Sequence, residues 1–116
     1  MRDYRDLYAW QKAMDLVTET YKLINKLPVE ERFALADQMR RAVTSIPLNI
    51  AEGHTRFGNK EYLHFLNFAR GSNAELRTCF DICIRVGYLT ESDVKQCLAL
   101  SDETGRLMTS LSKTLV

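Results

Sequence analysis

The chain has 116 residues, 46% hydrophobic and 27% charged, with 16 basic side chains against 15 acidic and a formal net charge of +1. A length of this order suits one domain that buries about two thirds of its unfolded surface, while a near-neutral balance gives no general pull toward nucleic acid or membrane. Any basic surface must therefore be local. Three cysteines and the acids in the opening "MRDYRDLYAWQK" point to reduced thiols in the cytoplasm, with neither a disulfide framework nor a signal peptide. The longest uncharged run, Ala42 to Ala51, is about half of what a bilayer requires.

The prolines and glycines act as punctuation at Pro28, at Gly53 and Gly58, and at Gly87. The first helix is expected from about Asp6 to Leu27. Its apolar side chains sweep an arc of about 200°, wider than one core contact needs, and Lys12–Asp15 and Glu19–Lys22 pair along the narrow polar stripe. The second helix starts near Glu30, where Pro28 fits an entrance and Glu30 and Glu31 suit the positive end of the dipole. Its apolar face, Leu35, Ala36, Met39, Ala42, Val43, Ile46 and Ile50, continues past Pro47. The helix should therefore bend at Pro47 rather than end there, and Gly53 should stop it in a left-handed conformation.

The third helix is expected from Asn59, as N-cap, to Val86, with Tyr62, Phe65, Leu66, Ala69, Leu76, Cys79, Phe80, Cys83 and Ile84 inward and Phe68 also on the inward side. Gly71 and Ser72 in mid-course suggest close helix approach, with the Ser72 hydroxyl able to bond the Phe68 carbonyl. Leu63 and Ile82 fall outside the main arc, which marks them for contacts beyond the protomer. The last helix opens at "TESD", with Thr90 as N-cap and acids in the first turn. No window alternates as a strand would. The pattern is that of an all-α, antiparallel up-down-up-down four-helix bundle, bent at Pro47 in its second helix, with 1–116 as a single domain.

The segments "LYAWQKAMDLVTETYKL", "LPVEERFALADQMRRAVTSIPLNIAEGHTR" and "EYLHFLNFARGSNAELRT" resemble the bacterial four-helix-bundle family of 23S ribosomal RNA intervening-sequence proteins. The likeness covers about three quarters of the chain, and its specific part is the central block through Pro47 and Asn49-Ile50-Ala51-Glu52-Gly53. From about Leu89 onward it is only generic. The resemblance implies a bundle that assembles into a ring, typically a homopentamer, with no particular activity. Some members are encoded inside insertions excised from ribosomal RNA precursors, which makes RNA a candidate partner. A related, more basic group serves reverse transcriptases as an accessory subunit.

Candidate chemistry is sparse. Arg40, Arg41, Arg70 and Arg77, with Arg56 and Lys60 nearby, are expected to form a basic band able to bind RNA phosphates, although Asp37, Glu75 and Asp81 could pair with these arginines. Tyr8, Trp10, Leu63 and Ile82 are the candidate subunit interface. Pro47, Asn49, Glu52 and Gly53 are read as a shaping motif, with Asn49 and Glu52 bonding backbone or neighbouring helices, or alternatively as a ligand or partner site. Cys79 and Cys83 have metal-ligand spacing but no evident further ligands, so no metal or cofactor is expected. No nucleophile elbow, dinucleotide fingerprint or phosphate loop occurs, and no enzyme activity is expected. A protein-interaction scaffold or accessory subunit without nucleic-acid binding remains the alternative.

Overall fold

The computed structural model describes residues 3–116. It contains four helices, α1 Tyr8–Ile24, α2 Leu35–His54, α3 Asn59–Arg85 and α4 Glu91–Lys113, with single 3-10 turns at Tyr4–Asp6 and Val29–Glu31. Each helix packs on its neighbours in the chain, and α4 closes back on α1. The result is the antiparallel up-down-up-down bundle, about 44 Å along its long axis. Leu16, Met39, Ile46, Ile50, Leu66, Leu76, Phe80 and Met108 are fully buried between the four helices. Each such side chain contributes about 1.5–3 kcal/mol by leaving water.

The helix starts are later than their apolar patterns suggest. Asp6 belongs to the turn Tyr4–Asp6, which Asp3 caps by accepting the Arg5 N–H at 2.8 Å, and Leu7 is extended before α1 begins. Likewise Glu30 and Glu31 lie in the turn Val29–Glu31, and α2 begins only at Leu35. Glu31 nevertheless serves the entrance. Its carboxylate accepts the Leu35 N–H at 3.3 Å and the Tyr88 hydroxyl at 2.9 Å, tying the start of α2 to the α3–α4 connection. That hydrogen bond holds the Tyr88 phenol above its ordinary pKa, and burial adds to the effect.

α2 passes through Pro47 and runs on to His54. Proline supplies no N–H for the Val43 carbonyl, and side chains of the same helix donate to carbonyls around it. Thr44 Oγ1 donates to the Arg40 carbonyl at 2.8 Å, Ser45 Oγ to Ala42 at 3.1 Å, and Asn49 Nδ2 to Ser45 at 2.8 Å. Asn49 thus bonds backbone beside the proline, as expected, whereas Glu52 pairs with Arg56 at 2.8 Å.

The glycines correct the reading of the sequence. Gly53 is not a left-handed stop, because only Gly58 and Gly87, at φ +90° and +86°, have positive φ among the described residues. Gly53 is buried inside α2, where an added Cβ would stand 3.0 Å from Phe65 Cβ and 3.3 Å from the Tyr62 carbonyl oxygen. Here α2 and α3 approach closely. Gly71, by contrast, faces open space. Ser72 does mark helix approach, since it shares a hydrogen bond with Ser45 of α2. Similarly, Gly58 rather than Asn59 precedes the first turn of α3 as its cap.

α4 begins as its sequence indicates. Thr90 accepts the Asp93 N–H at 3.1 Å and Asp93 accepts the Thr90 N–H at 2.9 Å, a reciprocal capping box. Thr90→Ala should cost about 1 kcal/mol in urea unfolding, the usual value of such a cap. The Thr90 N–H, then Lys26 at 3.1 Å, holds the Asp93 carboxyl below the usual carboxylate range. A depressed folded-state value means that this contribution is complete above the unfolded carboxylate pKa and fades as pH falls through the folded one. Asp93→Asn should therefore flatten the acid side of the stability curve.

Candidate functional site

The polar seam between α3 and α4 builds a cationic groove. Asn73 and Ser101 are buried there: Asn73 Nδ2 donates to the Ser101 carbonyl at 3.1 Å and Ser101 Oγ to Asn73 Oδ1 at 2.7 Å. Arg77 Nη1 reaches Ser101 Oγ at 3.1 Å and Asp102 Oδ1 at 2.6 Å, and Arg70 Nη2 donates to Thr109 Oγ1 at 2.5 Å. Above this network lies a groove of about 550 Å³ whose rims carry Arg70 and Arg77 from α3 and Arg106 and Lys113 from α4. Arg106 and Lys113 were not legible as site residues. Their signal is a shared seven-residue spacing: both cation pairs, Arg70 and Arg77 and Arg106 and Lys113, repeat after two helical turns and so stay on one face.

The expected band of Arg40, Arg41, Arg70 and Arg77 is divided by the fold. α2 contacts α1 and α3 but not α4, so its arginines cannot reach the α3–α4 groove. Arg41 pairs with Asp37 at 3.1 Å and lines a separate recess with Phe33 and Glu75, and Arg40 lines a third beside Pro28 and Arg32. Arg56 pairs with Glu52 and lies 4.9 Å over the Phe65 ring, and Lys60 is exposed in the first turn of α3. Of the six cations expected in one site, the groove unites Arg70 and Arg77.

Apolar side chains remain uncovered on two other sides. Trp10, half-buried and 5.4 Å edge-on from Tyr4, joins Met14, Val17, Pro47 and Leu48 in an α1–α2 groove of about 450 Å³, where Leu48 is 67% exposed. Tyr8 is exposed, Leu63 is half-buried and Ile82 is 43% exposed. Phe68 is also half-exposed and packs edge-on to His64 at 4.5 Å, correcting its inward placement. The buried stripe of α3 is Leu66, Ala69, Asn73, Leu76, Cys79, Phe80 and Cys83, and Phe68 is displaced from Ala69 by one residue, or about 100°.

Cys79, Cys83 and Cys97 are free and buried. Burial, followed by the neighbouring Cys79 and Glu31, pushes the Cys83 thiol up to about 11, so it stays protonated at neutral pH. Burial likewise raises Cys79 and Cys97. Among the described residues no three metal-ligating side chains converge, and no helix is long and apolar enough to cross a membrane. His54 Nδ1 lies 3.2 Å from the Tyr62 hydroxyl, joining α2 to α3.

The chain's fold is similar to that of a crystal structure described as a protein with unknown function from the S23 ribosomal protein family of Bacteroides thetaiotaomicron. That structure aligns with a TM-score of 0.82 over 90% of this chain and 98% of the other, at 24% identity. No curated protein matches the chain. The 23S rRNA-intervening sequence protein family matches residues 5–110, which include all four helices up to the last turn of α4. The bundle therefore belongs to the 23S rRNA-intervening sequence protein family.

Proposed function

We propose that the chain is a non-enzymatic, cytoplasmic subunit of a homo-oligomeric ring, a pentamer as its family resemblance implies, and that the ring binds RNA. The observation that carries the assembly is a pair of unlike apolar surfaces on one protomer. The α1–α2 groove of Trp10, Met14, Pro47 and Leu48 offers a recess, and the outer side of α3 offers Phe68 and Ile82. A contact between two different surfaces is head-to-tail, and head-to-tail contacts form a ring when the rotation between subunits closes. Tyr8 and Leu63 lie at the margins of this contact. In solution at micromolar concentration the mass should be a multiple of 13.4 kDa. A species of 13.4 kDa alone would overturn the assembly.

RNA enters from two directions. The family is named for an insertion in 23S ribosomal RNA, and its structural relative for a ribosomal protein family. The cations of the α3–α4 groove supply the chemistry, and a ring would repeat that groove around its circumference. A protein scaffold is the second reading, favoured by the net charge of +1 and by the pairing of Arg41, Arg56 and Arg77 with acids. Isolation of the assembly from its native host with a protein partner and without nucleic acid would select that reading.

A further inference from the structure

The bonds Arg70–Thr109 and Arg77–Asp102 fix the antiparallel alignment of α3 and α4, setting residue 70 level with 109 and 77 level with 102. Arg106 then lies between the levels of Arg77 and Arg70, and Lys113 lies beyond Arg70. Along the bundle axis the cations follow one another as Arg77, Arg106, Arg70 and Lys113, alternating between the helices, about one helical turn or 5 Å apart. No acidic side chain lines the groove. Asp102, just outside it, offsets Arg77, while Arg70, Arg106 and Lys113 form no ion pair among the described residues.

We infer that this ladder seats the phosphodiester backbone of a base-paired RNA segment. The inference rests on the RNA reading above and gives it a site and a class of ligand. A polynucleotide strand carries one charge per nucleotide, so a cation at every helical turn meets a succession of phosphates from a single run of backbone. Arg70 and Arg77 are held in place by Thr109, Ser101 and Asp102, which reduces the ordering needed on binding. Arg106 is free to move onto a phosphate, and the Ser110 hydroxyl between Arg106 and Lys113 is of the kind that bonds phosphate oxygens.

Base pairing follows from what the groove lacks. Single strands are gripped by stacking their bases on aromatic side chains, and no aromatic residue lines this groove. A paired segment already stacks its bases on one another and turns its phosphates outward, so backbone contacts suffice. The same geometry reads shape and charge rather than base sequence.

Fluorescence anisotropy with a labelled RNA duplex and a single-stranded oligouridylate of equal length tests this on the full assembly. The duplex should bind more tightly, with an affinity that falls steeply as salt rises. Arg106→Gln combined with Lys113→Gln changes two exposed side chains and should leave the circular dichroism spectrum and the assembled mass unchanged. The double variant should bind the duplex about tenfold or more weakly, and its log–log salt slope should be shallower by about 1.8, or about 0.9 for each phosphate that is no longer neutralised. Lys95→Gln, outside the groove, should leave both unchanged. Unaltered duplex affinity and slope in the double variant would remove the groove while leaving the RNA reading in place. A preference for the single strand would overturn the ligand class. Failure of the unmodified assembly to bind either probe at low salt would sink both this inference and the RNA reading.

Discussion

Gly53→Val should destabilise the bundle by about 3 kcal/mol or more, lowering the midpoint of urea unfolding without changing its slope. The atoms that an added Cβ meets are the Tyr62 ring carbon Cδ1, Phe65 Cβ, which moves only with the backbone of α3, and the Tyr62 carbonyl oxygen, which belongs to that backbone. The Tyr62 ring can turn, but the other two cannot rotate aside, so the helices must separate along a seam that also contains the Ser45–Ser72 hydrogen bond. Gly71→Ala is the internal control. Its Cβ points into open space, and alanine in a helix gains about 0.5–1 kcal/mol over glycine. The two substitutions should therefore move stability in opposite directions. Equal behaviour at the two positions would show that helix approach at Gly53 is not the constraint.

Leu48→Asp should dissolve the assembly. Leu48 is 67% exposed in the protomer, so the change leaves the core intact and the helical content unaltered. Beneath a neighbouring subunit the same carboxylate would lose its water with no cation in the groove to receive it, a cost of several kcal/mol at each interface. The measured mass should fall from the assembled value toward 13.4 kDa. Retention of the assembled mass would place the interface elsewhere, and Phe68→Asp on the facing surface would then show whether either patch is shared.

How much of this was legible in the sequence depended on the kind of information each feature needs. The four helices and their inward faces follow from periodicity, and Thr90 with Asp93 announces a helix start because a capping box is entirely local. Gly53 and Gly71 cannot be told apart in sequence, since which glycine faces a neighbour depends on the rotation of one helix against another. The expected band of Arg40, Arg41, Arg70 and Arg77 fails for a related reason. Levels along a helical hairpin follow from counting residues, but a hairpin of α2 and α3 omits α4, the helix that Arg70 and Arg77 face. Arg106 and Lys113 lie outside the three segments whose motifs carry the resemblance in sequence, so no motif drew them into the site.

The Asn73–Ser101 pair sets a condition on everything built above it. Hydrocarbon side chains tolerate sliding, because one methyl group is nearly as good a neighbour as the next, whereas an amide and a hydroxyl joined at 2.7 Å have a single fit. A slip of α4 by one turn would strand both groups in the dry interior and carry Arg106 and Lys113 out of step with Arg70 and Arg77. This small polar lock thus acts as a vernier stop for the two rods, and the spacing of the charges on the surface is inherited from a contact buried beneath them.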